Sequence, residues 1–145
     1  MILLSLNVRG VRGTPKFHIL KRLIERIAPN VILIQETMVE GSKVWEVFTK
    51  LLGGWTIYSM DALGQSGGFL TAWNPSKVSF KPFLTTDGIL LDGYSMELNR
   101  NLNIINCYGP YVSRKDFWDE VMEAGILGLE KLIFLGDLNF TLFAA

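Results

Sequence analysis

Three apolar runs of the sequence end in side chains that carry a carboxylate or an amide. The first run ends in Asn7, the second in Glu36, and the third in Asp137 and Asn139. Apolar runs of this length are typical of buried strands, and neighbouring strands can deliver their last side chains to one edge of a sheet. Oxygen-bearing side chains from separate strands form binding sites for hard metal ions beside phosphates. The pattern therefore indicates metal-dependent phosphoester chemistry.

The rest of the sequence predicts the elements that must position these side chains. Thr14 is expected to cap a first helix over residues 15–27, which Ala28-Pro29 should end. The patterns predict strands over residues 2–8, 31–35, 55–60, 67–73, 78–83, 89–98, 102–108 and 132–136, and further helices over 43–52 and from Ser113 towards Gly128. Strands clustered between helices at both ends favour an α/β fold of two packed sheets with outer helices.

Composition and charge leave two interpretations open. A chain of 145 residues fits one domain, and 49% hydrophobic with 19% charged residues is more apolar than usual. This excess fits strands that are buried on both faces, or a fragment whose apolar surface packs on further chain. The net charge of zero gives no overall basic field for nucleic acid. A local basic cluster, more typical of a solvated helix face, consists of Arg9, Arg12, Lys16, Lys21, Arg22 and Arg26.

The cellular setting follows from what the sequence contains. Cys107 is the only cysteine, so no disulfide partner exists within the chain and a reducing compartment is expected. No apolar stretch approaches the roughly 20 residues of a membrane span, and the N-terminus lacks the pattern of a signal peptide. We therefore expect no membrane partner and an intracellular location, nuclear or cytoplasmic.

Five short motifs occur in order and at sensible spacings along the chain. They are Leu6–Gly10, Gln35–Thr37, Ser66–Gly68, Asn106–Pro110 and Gly136–Asn139. With these motifs the sequence resembles the endonuclease/exonuclease/phosphatase superfamily, and it is most similar to the endonuclease domain of plant non-LTR (LINE-type) retrotransposons. The resemblance covers residues 1–145 as a single domain, but only the N-terminal and central part of the family's domain. It implies a two-sheet α/β sandwich that is truncated at the C-terminus.

The resemblance also implies an activity and a role for each motif residue. The family member would be a Mg²⁺-dependent phosphodiesterase, with Mn²⁺ as a substitute, that nicks the DNA backbone and is fused to a reverse transcriptase in an intact element. Glu36 would be the principal metal ligand, with Asn7 beside it orienting the metal's waters or the phosphate. Asp137 would orient or activate the attacking water, while Asn139 and Tyr108 would contact the phosphate.

Each of these residues also has a simpler structural interpretation. Glu36 is equally an acid that caps a helix or forms a salt bridge, Asn7 a turn former, and Tyr108 a core tyrosine. The segment Gly136–Asn139 is equally a turn that ends a strand. If the strand continues through it, Asp137 and Asn139 alternate and point the same way.

One departure from the family bears directly on activity. The family's general base is a histidine in a Ser-Asp-His motif near the C-terminus, whereas the only histidine here is His18, on the first helix. Loss of a general base costs about 10²–10⁴ in rate, so we expect the chain alone to have no appreciable nuclease activity. Two alternatives stay open: a non-catalytic relic or binding module, and a phosphatase acting on a small phosphorylated molecule, which the neutral net charge favours.

Overall fold

The computed structural model of the chain describes residues 1–10, 13–63 and 66–139. Two four-stranded sheets pack face to face with helices outside them, so the predicted α/β sandwich is confirmed. In chain order the elements are β1 (Leu3–Asn7), α1 (Thr14–Ile27), β2 (Val31–Gln35), α2 (Gly41–Leu51), β3 (Thr56–Leu63), β4 (Ser66–Trp73), β5 (Val78–Thr85), β6 (Gly88–Ser95), β7 (Arg100–Tyr108), α3 (Arg114–Glu123) and β8 (Leu132–Asp137). Among the described residues, no helix combines the length and apolar character needed to cross a bilayer.

The order of the strands places four strand ends at one end of the sandwich. The first sheet has the order β1-β2-β4-β3 and the second β5-β6-β7-β8. β1 runs parallel to β2, with Asn7 opposite Gln35, and β7 runs parallel to β8, with Tyr108 opposite Asp137. Because parallel strands end at the same edge, each pair delivers its last residues together. β8 also contacts β1 and β2 across the sandwich, so the two pairs of ends meet.

The apolar core consists of three layers, and β2 contributes to two of them. Ile32 and Ile34 pack outward against α1 and α2, while Val31 and Leu33 pack between the two sheets. A third layer lies between the second sheet and α3. β2 is therefore buried on both faces, as its continuous apolar run predicts. β1 and β8 are mostly half-buried, because each is hydrogen-bonded to only one neighbouring strand in the described part of the chain.

Several helix ends differ from the predictions; α2, for example, spans Gly41–Leu51 rather than residues 43–52. α1 begins at Thr14, so Gly13 rather than Thr14 occupies the N-cap position. Ser113 does occupy the N-cap position of α3, but its side chain makes no capping hydrogen bond. α3 ends at Glu123 because Gly125 follows it with φ 70°, in the left-handed region that interrupts a helix. A short 3₁₀ turn therefore replaces the predicted last part of this helix.

Candidate functional site

The carboxyl ends of β1, β2, β7 and β8 carry all five residues predicted for the site. Asn7, Tyr108 and Asp137 are the last residues of their strands, Glu36 follows β2 directly, and Asn139 lies two residues beyond β8. The sequence pattern suggested delivery to one edge of one sheet. The structure instead uses two sheets, since the parallel pairs β1–β2 and β7–β8 belong to different sheets.

These five residues are linked in one continuous series of side-chain and backbone hydrogen bonds. The Glu36 carboxylate is hydrogen-bonded to the Tyr108 phenol, which is also hydrogen-bonded to Asn139. The backbone N–H of Asn139 donates to Asp137 Oδ1 at 3.1 Å, and Asn7 Nδ2 donates to Asp137 Oδ2 at 2.9 Å. This series of hydrogen bonds thus links the end of β2 in the first sheet, through β7 and β8 in the second sheet, back to the end of β1.

The segment after β8 is a turn rather than a continued strand. β8 ends at Asp137, and Asn139 has φ 49°, so the two side chains do not alternate as predicted. The bond from the Asn139 N–H to the Asp137 carboxylate is the local bond by which Asp forms turns. Asn139 Nδ2 donates to the carbonyl oxygen of Gly109 at 2.6 Å, and the Gly109 N–H donates to the Asp137 carbonyl at 2.8 Å. Asn139 therefore fastens the loop after β7 to the end of β8.

Two glycines allow the ends of β7 and β8 to approach this closely. A Cβ at Gly136 would lie 1.8 Å from the carbonyl oxygen of Cys107, and Gly136 has φ 144°. A Cβ at Gly109 would lie 2.4 Å from the carbonyl oxygen of Leu138. Both positions therefore require glycine, and this requirement explains two of the glycines in the sequence motifs.

The segment after β2 is held against β4 by backbone bonds. The N–H groups of Thr37 and Met38 each donate at 3.2 Å, to the carbonyl oxygens of Gly68 and Gly67 respectively. This contact gives the two glycines a structural role, since their carbonyl oxygens hold the segment that follows β2. Glu36 itself has φ 53°, and a non-glycine residue in this region costs about 1–3 kcal/mol. Backbone strain of this kind often accompanies a functional site.

The loop after β1 is organised by Lys16. Its Nζ donates to the carbonyl oxygens of Val8, Arg9 and Gly10 at 3.3, 3.0 and 3.2 Å. Asn7 Oδ1 accepts from the Arg9 N–H at 3.2 Å. Asn7 thus forms a local turn, as its simpler interpretation predicted, while its Nδ2 contacts Asp137. The sequence alone did not indicate that the Lys16 ammonium binds backbone carbonyls.

Burial and the hydrogen bond to Glu36 raise the pKa of Tyr108 to about 12, although the hydrogen bond with Asn139 acts in the opposite direction. At neutral pH the phenol is therefore protonated and can donate a hydrogen bond. A donor placed beside a carboxylate is suited to contact an oxygen of a phosphate bound there.

The oxygen donors at the strand ends fit Mg²⁺. No group of three or more His, Cys, Asp or Glu side chains lies together in the described ranges, as a zinc site would commonly require. Mg²⁺ is held by one or two carboxylates and keeps several waters. Glu36 and Asp137, with the amide oxygen of Asn7, are donors of that kind.

Sequence reasoning missed a buried pair of amides beneath the site. Gln35 Nε2 donates to Asn106 Oδ1 at 2.7 Å, and Asn106 Nδ2 donates to the carbonyl oxygens of Ile34 and Leu70, both at 3.1 Å. Both amide side chains are buried, with exposed fractions of 1% and 0%. The pair joins the two sheets next to Glu36 and two residues before Tyr108. An asparagine within the apolar run of β7 was the signal that could have revealed it.

His18 takes no part in this arrangement. It is exposed on α1, where its ring packs edge to face on Phe17 with 6.0 Å between centroids. It is not a member of the hydrogen-bonded chain described above.

The sequence matches the model of the Endonuclease/Exonuclease/phosphatase family over residues 4–145. No curated protein matches it. The fold is similar to D. rerio TDP2 complexed with a single-stranded DNA product (16% identity, TM-score 0.69, covering 97% of this chain and 61% of that one). It is similar to the endonuclease domain of TRAS1, a telomere-specific non-LTR retrotransposon (14% identity, TM-score 0.65, covering 96% of this chain and 59% of that one). It is also similar to a mannosyl-6-phosphatase of Bacteroides thetaiotaomicron (12% identity, TM-score 0.67, covering 96% of this chain and 65% of that one).

The chain spans less than two thirds of each of these three proteins. At such low identity the structural likeness shows the fold, whereas the family match extends over nearly the whole sequence. The chain belongs to the Endonuclease/Exonuclease/phosphatase family.

Proposed function

We propose that this chain carries the metal- and phosphate-binding part of a Mg²⁺-dependent phosphodiesterase that hydrolyses the DNA backbone, of the plant LINE-type retrotransposon kind. The observation that carries the proposal is the continuous hydrogen-bonded chain from Glu36 through Tyr108, Asn139 and Asp137 to Asn7. Carboxylate, amide and phenol groups that meet at one point are the groups that a metal-bound phosphate requires.

Each residue has a distinct role in this proposal. Glu36 holds the metal, with the Asn7 amide oxygen beside it; when bound, Mg²⁺ neutralises charge on the phosphate. The Tyr108 phenol donates to a non-bridging phosphate oxygen. Asp137 orients the attacking water, and Asn7 Nδ2 fixes the rotation of the Asp137 carboxylate. Asn139 contacts the phosphate and also fastens the loop after β7.

We further propose that this chain alone does not complete the hydrolysis. His18 is exposed on α1, and the motif that supplies the base in the family has no counterpart in the sequence. Plasmid nicking in Mg²⁺ is therefore expected to be undetectable. Nicking that Glu36→Ala abolished would overturn this expectation, while supporting the role of Glu36.

The metal site is tested by binding rather than by turnover. Mn²⁺ should broaden the amide NMR signals of residues next to the site, such as Asn7, Thr37 and Asp137, and Mg²⁺ should compete with it. Glu36→Gln should abolish the broadening because it removes the principal ligand. Glu40→Gln is the matched control, since Glu40 is an exposed acid on the same segment that pairs with Lys43 at 3.4 Å. Equal broadening in the two variants would contradict the proposal.

A phosphatase of small phosphorylated molecules is the second candidate, favoured by the zero net charge. Binding to duplex DNA that falls steeply with salt would favour the nuclease over this candidate. A non-catalytic module is the third candidate. It should show no Mg²⁺-dependent stabilisation and should tolerate Asp137→Asn without loss of its role.

A further inference from the structure

An open cavity of about 220 Å³ adjoins the site on the side of Tyr108. Its walls come from both sheets: Met60 and Phe69 from β3 and β4, Thr86 and Asp87 from the turn between β5 and β6, and Tyr108 with Pro110 at the end of β7. None of the roles proposed above uses this cavity. Because Tyr108 lines it, a substrate whose phosphate is bound at the phenol would place a neighbouring group inside.

The size and walls of the cavity suit one flat ring system. Ligand pockets for drug-sized molecules measure about 300–1,000 Å³, so this cavity is smaller than that. Phe69 is buried, and Met60 and Pro110 add further apolar surface. Tyr108 adds an aromatic ring. Aromatic and apolar side chains of this kind are the usual partners for the faces of nucleobases.

The polar groups of the cavity favour a ligand that donates hydrogen bonds. Asp87 is half-buried and lines the cavity. The backbone at Asp87 is fixed to the site because its carbonyl oxygen accepts from the Tyr108 N–H at 3.3 Å. Asp61 also lines the cavity. Two acidic side chains disfavour a second phosphate there, and a carboxylate accepts well from the exocyclic amino group of a base.

We propose that this cavity is a nucleobase subsite, which receives the base adjoining the phosphate at Tyr108 and in which Asp87 selects bases that carry an exocyclic amino group. The inference rests on the proposed function, since it takes the phosphate to lie at Tyr108. Adenine, cytosine and guanine carry such an amino group. Thymine presents N3–H between two carbonyl oxygens, which would face the carboxylate unfavourably.

The test is an NMR titration of the isotope-labelled chain with dCMP, dAMP and dTMP in the presence of Mg²⁺. dCMP and dAMP should shift the amide signals of Gly68, Phe69, Thr86 and Asp87, and they should bind roughly tenfold more tightly than dTMP. Equal affinity for dTMP and dCMP would overturn the inference. So would the absence of shifts at these four amides.

Two variants and one control make the test specific. Asp87→Asn should remove the preference over dTMP, because an amide donates as well as accepts. Asp92→Asn is the matched control, an exposed acid on β6 outside the cavity lining, and should retain the preference. If Asp87→Asn does not fold, Thr86→Trp places a large ring at an exposed turn position and should abolish the dCMP shifts. Retention of the preference in Asp87→Asn, or of the shifts in Thr86→Trp, would refute the subsite.

The outcome separates this inference from the proposed function. Mn²⁺ broadening at Glu36 without any base preference would refute the subsite and leave the metal site standing. A base preference without Mn²⁺ broadening would refute the phosphodiesterase proposal, while the cavity would still bind bases.

Discussion

At the scale of single residues, Tyr108 connects Glu36, which we propose holds the metal, to the other residues of the candidate site. Its phenol is hydrogen-bonded to Glu36 and to Asn139, and it lines the cavity proposed for a base. Because its pKa is raised to about 12, the phenol stays a donor throughout the range in which a hydrolase works. Tyr108 also packs against the core between the two sheets, so the alternative of a core tyrosine that the sequence left open is compatible with these contacts.

The raised pKa of Tyr108 predicts a distinct late phase in an alkaline titration. Of the four tyrosines, Tyr108 should ionise near pH 12 in absorbance at 295 nm, and Tyr108→Phe should remove that phase. Glu36→Gln should move the phase to lower pH, since the bond to Glu36 raises the pKa. The folded pKa exceeds the value of 10.0 for a free phenol, so the contribution of Tyr108 to stability is complete below pH 10 and lost as pH rises through 12.

Tyr94→Phe is the control for this titration, because Tyr94 pairs with Asn101, far from Tyr108 along β7, and is not among the groups that shift the pKa of Tyr108. It should leave the late phase in place. A late phase that survived Tyr108→Phe would show that another tyrosine is responsible.

At the scale of the strands, the buried amide pair sets how the two sheets meet at the site. Gln35 ends β2 next to Glu36, and Asn106 lies on β7 two residues before Tyr108. A hydrogen bond of 2.7 Å between their side chains therefore ties β2, which leads to Glu36, to β7, which ends at Tyr108. In a buried setting such a bond is costly to lose, because both partners are shielded from water.

Asn106→Ala should therefore lower the free energy of unfolding by about 3 kcal/mol, since the carbonyl oxygens of Ile34 and Leu70 lose their donor. Urea denaturation followed by circular dichroism measures the loss. Asn103→Ala on the same strand is the control. Its side chain donates to the Glu130 carbonyl in an exposed setting, so the cost should be about 0.5 kcal/mol or less. Similar losses for the two variants would show that the buried pair has no special role.

At the scale of the whole molecule, the basic cluster in the sequence does not form a phosphate track in the described ranges. The Lys16 ammonium binds three carbonyl oxygens, and Lys21 lies 3.9 Å from Glu25. α1 starts beside the loop after β1 and leads away from it, so Arg26 lies about 15 Å along the helix from Lys16. Arg9, by contrast, is exposed two residues after Asn7, at the edge of the site.

This distribution of charge predicts that Arg9 contributes to DNA binding and Arg26 does not. Arg9→Gln should weaken binding to a labelled duplex and reduce the slope of log affinity against log salt by about one. Arg26→Gln should leave both unchanged. Fluorescence anisotropy at several NaCl concentrations measures the two effects. Equal losses for the two variants would favour nonspecific attraction to the basic helix instead.

Local sequence patterns predicted the type and order of the elements, although several of their ends differ by a few residues. The continuous run Val31–Ile34 predicted a strand buried on both faces, and the spacing of apolar residues after Pro15 predicted a helix with one apolar face. Such periods are local, so they can be read without knowing what packs on them. The motif residues at the strand ends followed from the same runs.

How those strand ends meet could be seen only in the tertiary structure. Strand order depends on contacts between segments far apart in sequence, such as Asn7 with Asp137, and no local period encodes them. The hydrogen bond between the side-chain amides of Gln35 and Asn106 has the same origin. So does the hydrogen bond by which Asn139 holds the carbonyl of Gly109. The cavity beside Tyr108 also has this origin, because its walls come from β3, β4, the turn between β5 and β6, and the end of β7, which become neighbours only when the two sheets pack together.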